Sequence, residues 1–301
     1  MKILVSGASG LVGTKLTAAL TTAGYQVGRL VRQPSRAAGS DVVWNPAAGQ
    51  LEASALADCD AVINLAGESI ASGRWSVKKK DRILQSRVNG TRTIATALAA
   101  IPDRPRTLIN ASAIGYYGDR GDEILSEASS TGSGDFLSGV CRDWESATEP
   151  AAKAGVRVVL ERFGVILSSQ GGALKKMLLP FRLGLGGKIG SGRQYMSWVA
   201  IDDVIGATLY CLGSLSLSGP VNVVAPQPVT NAEFTKTLGR ALGRPTIFPM
   251  PAVAARLAFG QMADELLLGS QRVEPTKLLN AGYVFKYPNL EPALVHVLGR
   301  G

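Results

Sequence analysis

Apolar positions along this chain alternate between two periods. Short runs rich in β-formers stand at 2–5, 26–31, 42–44, 61–67, 107–112, 156–160 and 221–224, each too brief for a helix. Between them lie segments with helical spacing at 11–23, around 84–91, over 135–153 and from Ile201 onward. The near-continuous apolar character of the runs is what a parallel sheet covered on both faces requires. From Asn231, read here as a helix cap, the pattern turns mainly helical, broken by Gly243, Pro245, Pro249, Pro251 and Pro275. Alternating β/α followed by a helical tail predicts an α/β doubly wound parallel sheet with a small, mainly helical C-terminal lobe.

The first strand runs straight into Gly7, Gly10 and Gly13, and a helical segment opens at Leu11. In that order, one glycine permits a tight turn, the next lets backbone approach a pyrophosphate, and the third lets helix and strand pack closely. The unpaired N–H groups and dipole of the helix N-terminus then face the anion. This is the Rossmann arrangement for a dinucleotide, and Gly7, Ser9, Gly10, Leu11, Val12 and Gly13 are its candidate contacts. The second strand ends at Arg32, where an acidic residue would favour NAD; the cation suits the 2′-phosphate of NADP(H). Leu65, Ala66 and Gly67, small or apolar at the end of the fourth strand, leave room for a cofactor at the sheet's carboxyl edge. The proposed division is residues 1–168 as nucleotide-binding core, with 201–225 returning to it. Residues 169–200 and 226–301 form the substrate lobe.

Composition narrows the class. The 301 residues are 46% hydrophobic, enough for a large core, and no run approaches a bilayer-spanning length. Three separated cysteines, Cys59, Cys141 and Cys211, give no disulfide framework and suit a reducing cytoplasm. The single histidine, His296, and the lack of metal-ligand spacings leave metal sites and a Ser-His-Asp triad unsupported. The net charge of +9 comes in good part from Arg74, Lys78, Lys79, Lys80, Arg82, Arg87 and Arg92. Without stacking aromatics this reads as a solvated helix face, so no nucleic-acid partner is expected, and without a spanning run no membrane partner is expected either. The expected partner is a small molecule, and the expected assembly a monomer or homodimer. Within that basic stretch Arg87 falls on the same helical stripe as Leu84, Val88 and Thr91, the side that should face the sheet. There it either snorkels past the rim or reaches a ligand or carboxylate.

Other motifs extend along the whole chain: Asn64-Leu65-Ala66-Gly67, residues 67–75, Ala111 to Asp119, Arg162 to Ser168, Gly190 to Gln194, Ile201-Asp202-Asp203 and Ala225 to Asn231. On these the chain resembles an extended short-chain dehydrogenase/reductase, of the atypical branch labelled "epimerase family". The resemblance implies a nicotinamide cofactor and a Tyr-x-x-x-Lys pair acting as acid/base. Counting back from Glu145, that pair falls on Leu137 and Cys141, and the family's usual asparagine is Arg87. The catalytic serine falls on Ser112 by one count and on Ala113 by another. Ser112, Tyr116, Tyr117 and Cys141 remain as candidate acid/base groups, with Arg87, Arg162 or Arg193 to position an anionic substrate, and Arg87 and Arg162 are also candidate cofactor contacts. Nucleotide-sugar epimerases also use an arginine in a Gly-x-Gly-x-Gln-x-Arg-like run; here its register holds Met196, and Trp198 is expected to add apolar area to the cleft. Two function classes follow: an NADP(H)-dependent oxidoreductase or epimerase on a small or apolar substrate, or a non-catalytic NADP(H) sensor. The glycine-rich run from Gly184 to Gly192 reads as a mobile loop.

Overall fold

The computed structural model describes residues 1–101 and 106–300. Seven parallel strands form its main sheet: β1 (Lys2–Ser6), β2 (Gln26–Val31), β3 (Val42–Val43), β4 (Ala61–Asn64), β5 (Thr107–Ala113), β6 (Arg157–Phe163) and β7 (Gly219–Val223). Their spatial order is β3-β2-β1-β4-β5-β6-β7, so the direction of winding reverses between β1 and β4. The crevice outside the carboxyl ends of those two strands is where doubly wound sheets bind ligands.

The period-2 alternation of the strands sorts their side chains onto two covered faces. Ile3, Val5, Ile63, Ile109 and Val159 pack with helices α1 (Leu11–Thr22) and α6 (Ile201–Gly213). Leu4, Val62, Leu108 and Val158 face the opposite way, with Ile94 and Leu98 of α2 (Val77–Ala99). Neither face meets water, which is why the strands read as continuous apolar runs. A third cluster, including Leu174, Phe181, Trp198, Phe234 and Leu294, builds the C-terminal lobe around α5 (Gly172–Arg182) and α7 (Asn231–Leu242).

Local chemistry adjusts several expected boundaries. The helix expected over 135–153 is two helices, α3 (Phe136–Ser146) and α4 (Glu149–Lys153). Pro150 sits in the first turn of α4, lacks an N–H, and disfavours helical backbone just before it. The strand expected to end at Leu160 continues to Phe163, because β5 and β7 pair with it on both sides through Phe163. The cap of α7 is Thr230, not Asn231: its hydroxyl accepts from the Glu233 N–H while Glu233 returns to the Thr230 N–H, a full capping box. Asn231 is instead the first helical residue, its Oδ1 accepting from the Ile189 N–H at 2.8 Å. The 184–192 run is tied along its length, with Gly190 donating to the Met250 carbonyl and Met250 to that of Lys188.

The lobe is stitched to the sheet by two carboxylates, one of them buried. Asp203, at the start of α6, accepts from the backbone N–H groups of Lys286 and Tyr287 at 2.6 and 2.9 Å. Glu265 accepts from those of Phe136 and Leu137 at 3.2 and 2.8 Å, capping α3 from the far end of the chain. Val273 pairs with Leu125 in a short parallel ladder.

Candidate functional site

The glycine turn has the shape its sequence requires. Gly7 has a φ of +67°, and a Cβ there would stand 2.7 Å from the Leu65 backbone. A Cβ on Gly13 would lie 2.2 Å from the Gly7 carbonyl oxygen. Both sites therefore demand glycine, the first for conformation and contact and the second for contact alone. The N-cap of α1 is Gly10, which offers no side-chain acceptor, and no acidic residue lies in the first turn. The orphan N–H groups of that helix are thus left to an outside anion.

The β1 and β4 ends are locked together by Ser6, which the sequence reading missed. Its hydroxyl donates to Asn64 Oδ1 at 2.5 Å and accepts from the backbone N–H groups of Leu65 and Ala66. Asn64 Nδ2 in turn donates to Thr91 and Asn110, and Trp144 Nε1 donates to Thr91. The available signal was polarity: Ser6 and Asn64 end strands that are otherwise apolar, where a buried polar group needs partners. Gly7 and Leu65–Gly67, predicted separately, meet at this point. Arg32 lies exposed just past β2, with Arg36 exposed on the same short loop. That loop is fastened by Asp41, which holds Arg29 through both carboxylate oxygens.

Arg87 reaches the same rim. A Cβ on Gly67 would sit 3.3 Å from its Cζ, so the guanidinium lies against the Gly67 backbone. Nη1 donates to the carbonyl oxygens of Glu68 and Ile83, both at 3.0 Å, and the guanidinium lies 5.0 Å from the Trp144 ring. Desolvation lowers its pKa from the usual arginine value. Next to it the Glu68–Lys79 pair, 2.6 Å apart, departs from a solvated basic face: the Lys79 side chain is only 5% exposed. Ser72 accepts a second bond from the same ammonium.

The candidate acid/base groups fare differently from one another. Ser112 is buried, and its hydroxyl donates to Glu145 Oε1 at 2.7 Å. Glu145 also grips Arg162, whose Nη1 donates to the Tyr117 hydroxyl at 2.9 Å. Tyr117 is fully buried, its hydroxyl donating to Asn222 Oδ1 at 2.7 Å, and burial pushes its pKa up to about 12. Cys141 lies under the 113–117 turn, its pKa raised to about 12 by burial and then by the charge of Glu145. Leu137 shares that location, so both positions selected by counting back from Glu145 hold buried apolar-type side chains. Tyr116 alone among the four candidates is half-buried, with the Arg162 guanidinium 3.5 Å from its ring centre.

Three expectations are corrected by this geometry. Trp198 adds nothing to a cleft: it is 0% exposed in the lobe core, with Nε1 donating to the Gln227 carbonyl. Its strand pairs with 165–167, which turns the ring inward. Arg162 is not free for cofactor or substrate, because Glu145 and Tyr117 take its donors inside the fold. Ser112 and Tyr117 are likewise committed inward, and β5 alternation leaves Ala113 as the partly exposed neighbour of Ser112. Arg193 does stand exposed on its glycine-rich loop. Met196 receives a contact from Asn231 Nδ2 at 3.6 Å, within a two-residue antiparallel pairing to Val229–Thr230.

Comparison with known proteins agrees with this architecture. Residues 3–223 match the model of the NAD dependent epimerase/dehydratase family, and residues 250–297 match a domain of unknown function, DUF1731. The epimerase family protein Mb2239 of Mycobacterium bovis is 46% identical over 298 residues, covering 99% of this chain and 98% of the relative. The crystal structure of human epimerase family protein SDR39U1 (isoform 2) with NADPH superimposes with a TM-score of 0.90 at 36% identity, covering 99% of both chains. A nucleoside-diphosphate sugar epimerase from Corynebacterium glutamicum gives a TM-score of 0.81 at 39% identity, covering 99% of this chain and 58% of that one. With its winding reversal, glycine turn and β4 loop brought together at one crevice, the chain belongs to the NAD dependent epimerase/dehydratase family.

Proposed function

We propose that this protein binds NADP(H) in the crevice between the ends of β1 and β4 and uses it in a redox step on a small or apolar substrate. The observation that carries the reading is the meeting of the Gly7–Gly13 turn with the Leu65–Gly67 loop, with exposed Arg32 and Arg36 at the end of β2. The human relative solved with NADPH supports the cofactor's identity. The backbone N–H groups at the start of α1 would hold the pyrophosphate, and Arg32 with Arg36 the 2′-phosphate. Ser6 and Asn64 keep the floor of the crevice rigid. The bound nicotinamide would supply a hydride donor or acceptor. Tyr116 is the hydroxyl we assign to proton transfer, being the one candidate not buried. Arg193 remains available to an anionic group on the substrate. Ordinary epimerisation of a nucleotide sugar is not our reading, since Leu137, Cys141 and Met196 replace its base pair and its anchor.

A specific observation favours a second reading, a non-catalytic NADP(H) sensor: Ser112, Tyr117 and Cys141 are all buried, and the two hydroxyls are bonded inward. One experiment addresses both readings. Fluorescence titration with NADPH and NADH should show tighter NADPH binding, and equal curves would defeat the cofactor assignment. NADPH oxidation is then followed across a panel of short aldehydes, ketones and 2-oxo acids. Turnover that drops about 100-fold in Tyr116→Phe, with NADPH affinity intact, supports the enzyme. Tight NADPH binding with no turnover on any of them supports the sensor.

A further inference from the structure

One side of the C-terminal lobe carries large apolar side chains that nothing covers. Leu179, Leu183 and Leu185 at the end of α5, Phe248, and Val253 and Leu257 of the helix Ala252–Phe259 are each more than half exposed. They form one face. Leu179 and Leu183 are one helical turn apart, as are Val253 and Leu257. The segments between them run side by side, with Phe248 donating to the Gly186 carbonyl, Met250 to that of Lys188, and Gly190 to that of Met250.

The charge on these segments is mainly of one sign, the exception being Asp264, which pairs with Arg256 of the helix Ala252–Phe259. No Asp or Glu occurs from 172 to 201 or from 234 to 263. Lys175, Arg182, Lys188 and Arg244 stand exposed around the apolar side chains, with no carboxylate partner among the described residues. We propose that this face docks on an anionic lipid bilayer surface. The leucines, Val253 and Phe248 enter the boundary between headgroups and acyl chains, and the four cations meet lipid phosphates. A second copy of this chain is the poorer occupant, because a two-fold contact sets the same patch against itself and brings cation onto cation. Among the described residues no helix is long and apolar enough to cross a membrane, and a contact in the interface plane needs none. The sequence, lacking a span, gave no reason to expect a membrane partner; the face arises from segments some 60 residues apart in the chain. The Leu257 carbonyl accepts from Arg74 at 2.5 Å, which links the face to the loop that follows Gly67 at the crevice.

The test is co-sedimentation of the full chain with phosphatidylcholine vesicles, with and without phosphatidylglycerol. Binding should be about tenfold stronger with the anionic lipid and should fade as salt is raised. Lys188→Glu/Arg244→Glu should abolish it, as should Leu183→Ser/Phe248→Ser/Leu257→Ser, with circular dichroism and urea midpoints showing that each variant is folded. No sedimentation with anionic vesicles at low salt overturns the proposal, as does unchanged binding by the charge variant. Self-association of the native chain that the serine variant removes, seen by analytical ultracentrifugation, assigns the face to a second copy and overturns it as well.

Discussion

Arg162 and Glu145 face each other as a two-pronged pair inside the fold, Nε to Oε1 and Nη2 to Oε2, both at 2.8 Å. Their side chains are 3% and 9% exposed, so each charge depends on the other for its solvation. Glu145→Ala would leave a buried guanidinium facing a void and free the Ser112 hydroxyl at the same time. It should cost about 3–5 kcal/mol of stability, read as a lower urea midpoint with an unchanged slope. A loss below about 1 kcal/mol would mean that water enters and replaces the carboxylate.

Gly13→Ala sets two effects against each other. Alanine in place of glycine inside a helix ordinarily gains about 1 kcal/mol. Here the new methyl would sit 2.2 Å from the Gly7 carbonyl oxygen, and backbone on both sides leaves it nowhere to go. The clash should win: the variant is expected to be less stable than the parent and to lose more than tenfold in NADPH affinity by fluorescence titration.

Cofactor choice should turn on Arg32. A charge-assisted contact to the 2′-phosphate contributes about 1.5–3 kcal/mol, or roughly 10- to 150-fold preference for NADPH over NADH. Arg32→Asp should erase or reverse that ratio while leaving NADH affinity within a few-fold. If Arg36 supplies the contact instead, the ratio survives this change and falls in Arg36→Asp.

Cys141 should behave as an inert thiol. With its pKa at about 12, almost no thiolate exists at neutral pH, and burial blocks access besides. Iodoacetamide should label it at the rate of unfolding in urea-free buffer at pH 7.5, as judged by mass spectrometry of the tryptic peptide. Rapid labelling of the native chain would show a depressed pKa and restore it as an acid/base candidate.

A pH effect on stability is expected from Glu161, fully buried in β6, whose pKa burial raises from 4.5 to about 8. Hydrogen-bond counting agrees with a proton on it: the Thr208 hydroxyl faces both Glu161 Oε2 and the Val204 carbonyl with only one proton to give. The unfolded chain releases the Glu161 proton near 4.5 and the folded chain near 8. Between those values the folded state holds the extra proton, so stability falls as pH rises, by about 1.4 kcal/mol per unit. Glu161→Gln should therefore be more stable than the parent at pH 8 and lose that advantage by pH 4.5. Urea midpoints that differ by the same amount at both values would refute the assignment.

The fold was legible because its signals are local. Each strand's apolar run and the three glycines act within a dozen residues, and the 26–31 strand ends where the spacing places it. The acid/base candidates were not, because what decides their fate lies far away in the chain. Tyr117 turns inward to meet Asn222, 105 residues on, and Ser112 to meet Glu145, 33 residues on. One residue of alternation along β5 separates a cleft position from a buried one, and nothing local distinguishes Ser112 from Ala113. Trp198 misled for the same reason, its surroundings being set by pairing with 165–167. Arg87 was flagged by helical spacing, yet its hydrogen-bond acceptors are carbonyl oxygens that no pattern of side chains announces.

The carboxylates that stitch the lobe to the sheet bear on how the chain is made. On the ribosome the core strands emerge first, but Asp203 must wait for N–H groups 83 and 84 residues later. The α3 N-terminus likewise waits for Glu265, 128 residues beyond Leu137. Until then a carboxylate that ends 1% exposed has only water to satisfy it, which holds that corner of the nascent chain open. The corner around Asp203 thus closes only after residues 286 and 287 have been translated, and a polypeptide halted before them is expected to be less stable than the full chain.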